Sequence, residues 1–70
     1  MKINLNDILV NSYDRNKKQL IVVYDDKGDF YTFTESNILE RVKHMKVERF
    51  EIVSDKLIVM KVEGVINEGR

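Results

Sequence analysis

Residues 19–34 read QLIVVYDDKGDFYTFT, two runs rich in β-branched and aromatic residues around five polar ones. This pattern predicts a β-hairpin with strands over Gln19–Tyr24 and Phe30–Thr34 and a turn over residues 25–29. Gly28 supplies the positive φ that such turns usually need. Because the first strand is apolar on both faces, it is expected at the sheet centre, or with its second face covered by the N-terminal segment or by another molecule.

A short helix is predicted directly after this hairpin, over Ser36–Met45. Apolar residues recur there at helical spacing, with charged residues on the opposite side. The apolar stripe consists of Ile38, Leu39, Val42 and Met45. Thr34 or Ser36 is expected to cap the helix, and Glu40 to pair with His44 four residues later.

A second hairpin is predicted from residues 46–53 and 57–62, joined by a three-residue loop over residues 54–56. Such a loop would oppose the strongest apolar residues of the two strands. The expected pairs are Ile52 with Ile58 and Phe50 with Met60.

The two ends of the chain give less regular patterns. Lys2–Leu5 alternates like a short strand, and Asn6 is suited to cap a turn or two of helix through Ser12. Residues 65–70 are expected to form a flexible tail. The sequence therefore predicts one small α+β domain over residues 1–70, with an antiparallel sheet of four to five strands in the order hairpin, helix, hairpin and one main helix packed on one face.

Composition limits what this domain can do. The 70 residues include 12 Lys plus Arg and 12 Asp plus Glu, so the formal net charge is zero. Nine Val and seven Ile with no Ala favour strands over helices. Without Cys, and with His44 as the single histidine, no disulfide framework, thiolate chemistry, metal or other cofactor is expected. The longest apolar run is five residues, so a cytoplasmic protein without a membrane segment is expected.

The sharpest charge feature is the acidic turn of the first hairpin, with Asp25, Asp26 and Asp29. Its spacing begins like a calcium loop, but Lys27 and Ser36 occupy positions that need oxygen ligands. The ordinary interpretation is a solvated turn. The functional alternative is that these carboxylates form the acidic part of a protein interface.

A basic set offers a nucleic-acid alternative. The candidate cations are Lys17, Lys18, Lys43 and Arg49. Glutamates interleave with the cations around the helix, and no part of the chain is strongly basic, so a salt-laced surface is the simpler interpretation.

Apolar residues exceed what one short helix can cover. The second face of the sheet is expected to present Ile21, Val23, Val53, Leu57 and Val59. Five such side chains are worth roughly 1.5–3 kcal/mol each when fully buried, which is large beside the stability of so small a domain. Either the N-terminal segment covers this face, or the chain docks through it on a partner or on a second copy as a homodimer.

No catalytic constellation accompanies these features, because His44 lies on the polar side of the predicted helix with no nucleophile motif around it. The sequence is therefore interpreted as a non-enzymatic protein–protein interaction module. Small size and a composition typical of a low-GC genome suggest an inhibitor or regulator, encoded by a phage or mobile element, that binds a larger bacterial protein. The alternative is a homo-oligomer that binds nucleic acid or sequesters a small ligand.

Overall fold

The computed structural model describes residues 3–12, 16 and 18–67, which form a five-stranded sheet and two helices. In chain order the elements are β1 (Ile3–Asn4), α1 (Leu5–Ser12), β2 (Leu20–Tyr24), β3 (Phe30–Phe33), α2 (Glu40–Lys43), β4 (Lys46–Ser54) and β5 (Leu57–Val62). The strands lie in the order β1-β4-β5-β2-β3. The predicted α+β class is confirmed, and β2 lies inside the sheet as its two apolar faces indicate.

The sheet is mixed and not purely antiparallel as predicted. β2 and β5 pair in parallel, while the other neighbouring strands pair antiparallel. The cause is the segment over residues 34–45, which carries the chain back along the sheet so that β4 runs in the same direction as β3. Hairpin signals describe only consecutive strands, so they gave no information about how the two hairpins join.

Both predicted hairpins are present, and the second has the predicted apolar pairs. Tyr24 lies opposite Phe30 across a turn of five residues, in which Gly28 has a φ of +85°. In the second hairpin the two predicted apolar pairs are both present: Ile52 with Ile58 and Phe50 with Met60. Ser54 pairs with Leu57, so the turn contains two residues and not three. A register shift between Ile52 and Ser54 accommodates the additional residue as a β-bulge.

The helix predicted over Ser36–Met45 is limited to α2. Leu39 precedes it with extended backbone, and no side chain caps it. Instead, Asn37 folds a turn, because its Oδ1 accepts the Thr34 N–H at 2.7 Å and its own N–H donates to the Thr34 carbonyl at 3.2 Å. Local bonds of this kind compete with a helix start. The longer helix is α1, at the N-terminal end of the chain.

One core lies between the helices and one face of the sheet. It contains residues from every element except β1 and extends to the segment after β5. Its members are Leu5, Ile8, Leu9, Ile21, Val23, Phe33, Ile38, Val42, Val47, Ile58, Met60, Val62 and Ile66. The burial of Leu5, Ile8 and Leu9 agrees with the helix predicted in the N-terminal segment. Tyr13, which the same helical spacing predicts on the buried side, lies outside the described residues.

The C-terminal segment departs from the flexible tail predicted over residues 65–70. Ile66 is buried in the core, and both its backbone N–H and its carbonyl are hydrogen-bonded to side chains. A buried apolar side chain and two satisfied backbone groups hold this segment against the domain. Residues 68–70 lie outside the described part of the chain.

Candidate partner-binding surface

Pairing between β2 and β5 determines which residues share a face of the sheet. Ile21 lies beside Ile58 and Val23 beside Met60, and all four are fully buried. Because directly paired residues point to the same side, Ile21 and Val23 face the helices. The prediction that these two residues belong to an uncovered surface with Leu57 and Val59 is therefore wrong.

The opposite face of the sheet carries a different apolar set, which we call the open face. It comprises Leu20, Val22, Tyr24, Phe30, Leu57 and Val59. The register places Leu20 beside Leu57 and Val22 beside Val59, with Tyr24 opposite Phe30 at the end next to the acidic turn. The predicted candidates Leu57 and Val59 thus belong to a continuous apolar surface, although its other members differ from those predicted.

Exposure on the open face is uneven. Phe30 is 66% exposed and Leu20 is 44% exposed, while the other four residues are half-buried by their neighbours in the sheet. The rings of Tyr24 and Phe30 stack with centroids 5.1 Å apart. This stacking presents an aromatic pair at the surface, and aromatic side chains are enriched at protein interfaces.

Neither α1 nor α2 covers the open face. Leu5, Ile8 and Leu9 of α1 and Val42 of α2 are buried in the same core as Ile21 and Val23, on the other side of the sheet. The predicted cover by the N-terminal segment therefore applies to the core side. Among the described residues, the open face has no helix against it.

Charged side chains border the open face. Lys61 lies beside Tyr24 in the sheet, and its Nζ donates to Asp26 Oδ1 at 2.6 Å and to Glu48 Oε1 at 3.0 Å. These two hydrogen bonds raise the pKa of Lys61 and outweigh its partial burial, which lowers it. Arg49 pairs with Lys61 across β4 and β5, and Glu51 pairs with Val59. A shallow depression lies here, lined by Tyr24, Arg49, Phe50, Glu51, Val59 and Lys61.

The acidic turn has a structural role at Asp25. This side chain is only 1% exposed. Its Oδ1 accepts the N–H groups of Lys27 at 3.0 Å and Asp29 at 3.1 Å, and its Oδ2 accepts the buried N–H of Ile66 at 3.0 Å. Burial raises the pKa of Asp25, but the hydrogen bonds from Ile66, Asp29 and Lys27 outweigh it, so the pKa is lowered overall. The prediction of Asp25 as a partner-binding carboxylate is therefore wrong.

The remaining carboxylates of the turn differ in their surroundings. Asp26 binds Lys61 through Oδ1, and its Oδ2 accepts the N–H of Gly64 at 2.8 Å. Asp26 also donates its backbone N–H to the Gly64 carbonyl at 3.0 Å. Asp29 is exposed. Sequence reasoning interpreted the cluster as one surface, whereas two of its three carboxylates fasten the C-terminal segment to the turn.

The basic candidates do not form one surface. Lys18 precedes β2, at the end of the sheet where β5 begins, whereas Arg49 lies near the end of β5. Lys43 belongs to α2, on the core side, and its Nζ lies 3.9 Å from Glu40 Oε1. Lys17 lies outside the described residues. His44 makes the predicted pair with Glu40, at 3.1 Å from Oε2, and its side chain is largely exposed.

Sequence reasoning missed four residues of the open face: Leu20, Val22, Tyr24 and Phe30. The five-residue turn already implies that Tyr24 opposes Phe30, so that pair was readable from the hairpin. The sequence of the hairpin does not predict which side of β2 the helices cover, because that depends on the parallel pairing of β2 with β5. Val53, another predicted partner-binding residue, lies at the β-bulge of β4 and is half exposed.

No protein-family model matches the chain, and neither the curated proteins nor the solved structures compared with it gave a match. Within residues 3–12, 16 and 18–67, neither helix has the length and apolar character needed to span a membrane.

Proposed function

We propose that this chain is a non-enzymatic protein–protein interaction module that docks on a larger protein through the open face. The observation that supports this proposal is the open face itself: six neighbouring apolar residues in one sheet, with no described helix against them. An exposed apolar patch with a charged border is the usual form of a protein-binding surface.

The composition of the open face favours a protein partner over a small ligand. The stacked pair of Tyr24 and Phe30 provides an aromatic anchor, and aromatic side chains are frequent among the residues that dominate binding energy. Lys61, Arg49 and Glu51 place both signs of charge beside the apolar residues, which suits a partner of mixed polarity. The role we propose is that of a small inhibitor or regulator of a larger bacterial protein.

Two substitutions on the open face test the proposal. Phe30→Ala removes the exposed half of the aromatic pair, and Leu20→Lys places a charge among the apolar residues. Val10→Lys is the matched control, because Val10 is 74% exposed but lies on α1, away from the open face. All three variants change exposed apolar side chains, so we expect each to remain folded by circular dichroism.

The measurement is capture of binding proteins from a bacterial lysate, followed by affinity measurement with the purified partner. We expect the wild-type chain and Val10→Lys to bind equally, and Phe30→Ala and Leu20→Lys to bind about tenfold more weakly or worse. A partner that binds all four proteins equally would contradict docking through the open face. Substrate turnover that is abolished by His44→Ala would contradict the non-enzymatic assignment.

A further inference from the structure

The outer edge of β4 is open along most of its length. β4 is the longest strand, yet β1 pairs only with Lys46 and Val47. From residue 48 to residue 54, the neighbouring strand among the described residues is β5, on one side alone. The regular part of this edge, residues 49–52, lies between two register shifts and is a template for pairing with another strand.

The direction of the backbone groups on this edge follows from β5. Glu63 donates its N–H to the Lys46 carbonyl, whereas the carbonyl of Lys56 accepts from Leu20 of β2. Backbone groups alternate in direction along a strand, so the N–H and C=O groups of Val59 and Lys61 point towards β4. Their partners in β4, Glu51 and Arg49, point their own N–H and C=O groups back towards β5. The N–H and C=O groups of the alternate residues, Phe50 and Ile52, therefore point outwards.

Side chains along the edge are suited to a partner strand. Phe50 and Ile52 lie on the same side of the sheet as the core, since they pair with Met60 and Ile58. They are nevertheless 44% and 52% exposed. Arg49 and Glu51 lie on the other side, and neither makes an ion pair with a described residue. The edge thus offers apolar side chains on one side and two opposite charges on the other.

We propose that a second copy of this chain pairs with it along β4, antiparallel and with the two-fold axis at Phe50. In this register the outward backbone groups of Phe50 bond to those of the partner copy, and the two Phe50 rings lie side by side. Each Arg49 lies opposite a Glu51 of the other copy, so the pairing forms two complementary charge pairs. The inference concerns an edge of the sheet and does not depend on the partner of the open face.

Charge selects this register from its neighbours. The two-fold axis that relates the two β4 strands runs perpendicular to the sheet, and residues paired across it lie on the same face. The axis must therefore pass between two copies of the same residue, which is the residue at the centre of the pairing. Moving the axis to Arg49 places two arginines opposite each other, and moving it to Glu51 places two glutamates opposite each other. Like charges in direct opposition are unfavourable, so Phe50 is the favoured centre.

Charge reversal tests both the pairing and its register. Arg49→Glu leaves two acidic residues on each copy, and Glu51→Arg leaves two basic residues, so each variant alone repels itself in the proposed register. A mixture of the two variants restores both complementary pairs between unlike copies. Glu40→Arg is the control for charge, because Glu40 is exposed on α2 and its side chain pairs with Lys43 and His44, not with a residue of β4.

The measurement is sedimentation velocity over concentrations from about 1 μM to about 1 mM, the range that separates tight from weak dimers. We expect wild type and Glu40→Arg to dimerise, each single β4 variant to associate about tenfold more weakly or worse, and their equimolar mixture to dimerise like wild type. Circular dichroism of each single variant establishes that it is folded before the mixture is measured.

Three outcomes would overturn the proposal. The first is a wild-type chain that stays monomeric over the whole range. The second is a mixture that associates no better than its components. The third is loss of dimer in Glu40→Arg to the same extent as in the β4 variants. Association through the open face would be weakened by Phe30→Ala, whereas pairing along β4 would not, because Phe30 lies on β3 away from the β4 edge; this difference separates the proposal from the function proposed above.

Discussion

Replacing Asp25 by Asn tests whether this carboxylate fastens the acidic turn to Ile66 in the C-terminal segment, an arrangement that we call the clamp. The two side chains have the same shape, but an amide has one accepting oxygen where the carboxylate has two. If the amide oxygen keeps the bonds from Lys27 and Asp29, the amide nitrogen faces the N–H of Ile66. Two hydrogen-bond donors then face each other in the interior, and the Ile66 N–H has no acceptor. If the amide is reversed, the bonds to Lys27 and Asp29 are lost instead.

The expected loss of stability follows from these bonds. A hydrogen bond to a charged group contributes about 1.5–3 kcal/mol, and a buried N–H left without an acceptor costs about 1–3 kcal/mol. We therefore expect Asp25→Asn to lower the free energy of unfolding by about 2–4 kcal/mol. A domain of this size has a net stability of only about 4–10 kcal/mol, so the midpoint of thermal unfolding should fall by about 10 °C or more.

The assay is urea unfolding followed by circular dichroism, with Asp29→Asn as the matched control. Asp29 lies in the same turn and receives the same chemical change, but its side chain is exposed. We expect the control to stay within about 0.5 kcal/mol of wild type. Equal stability of Asp25→Asn and Asp29→Asn would refute the clamp and restore the acidic turn as a surface feature.

Acid unfolding gives an independent readout of the same clamp. The pKa of Asp25 is below its ordinary value of 3.8 in the folded chain, so the folded state favours the ionised carboxylate. The stability that Asp25 contributes is complete above that ordinary value and is lost as the pH falls through the lowered folded pKa. Between pH 5 and pH 2, as approximate limits, wild type should lose more stability than Asp25→Asn, and an equal loss would contradict the assignment.

Two further substitutions test the two segments that the clamp joins, the C-terminal segment at Ile66 and the acidic turn at Gly28. Ile66→Ala should destabilise the domain by about 2–5 kcal/mol in urea unfolding, because a buried side chain is truncated, whereas a flexible tail would give no change. Gly28→Ala should cost about 1–2 kcal/mol in the same assay, because φ is +85° although the space for a Cβ is free, and a neutral result would show that the turn adopts another conformation.

Local patterns in the sequence predict local structure well in this chain. Both hairpins, their apolar pairs and the positive φ of Gly28 follow from residues close to one another in sequence. The predicted helix over Ser36–Met45 is shorter in the structure because Asn37 offers the backbone of Thr34 an alternative partner. Apolar spacing detects the stripe but not this competition, since both conformations bury Ile38 and Val42.

Long-range pairing determines the parts that the sequence did not predict. Whether Ile21 or Val22 faces the core depends on the parallel register between β2 and β5, which are separated by more than 30 residues of chain. The same holds for Asp25, whose carboxylate reaches Ile66 across 41 positions. A carboxylate in a Gly-containing turn has the same local sequence whether it faces water or a buried N–H, so its role could not be read from the turn.

The clamp and the open face are physically connected through the acidic turn. Asp25 and Asp26 bind the C-terminal segment on one side, and Asp26 also holds Lys61 beside Tyr24 on the open face. Tyr24 and Phe30 flank this turn directly, so the hydrogen bonds within the turn restrain the backbone on both sides of the aromatic pair. A surface that is ordered before binding loses less conformational entropy when a partner docks. In the proposed function, Asp25 and Asp26 therefore act by holding the contact residues in place and not as contacts themselves.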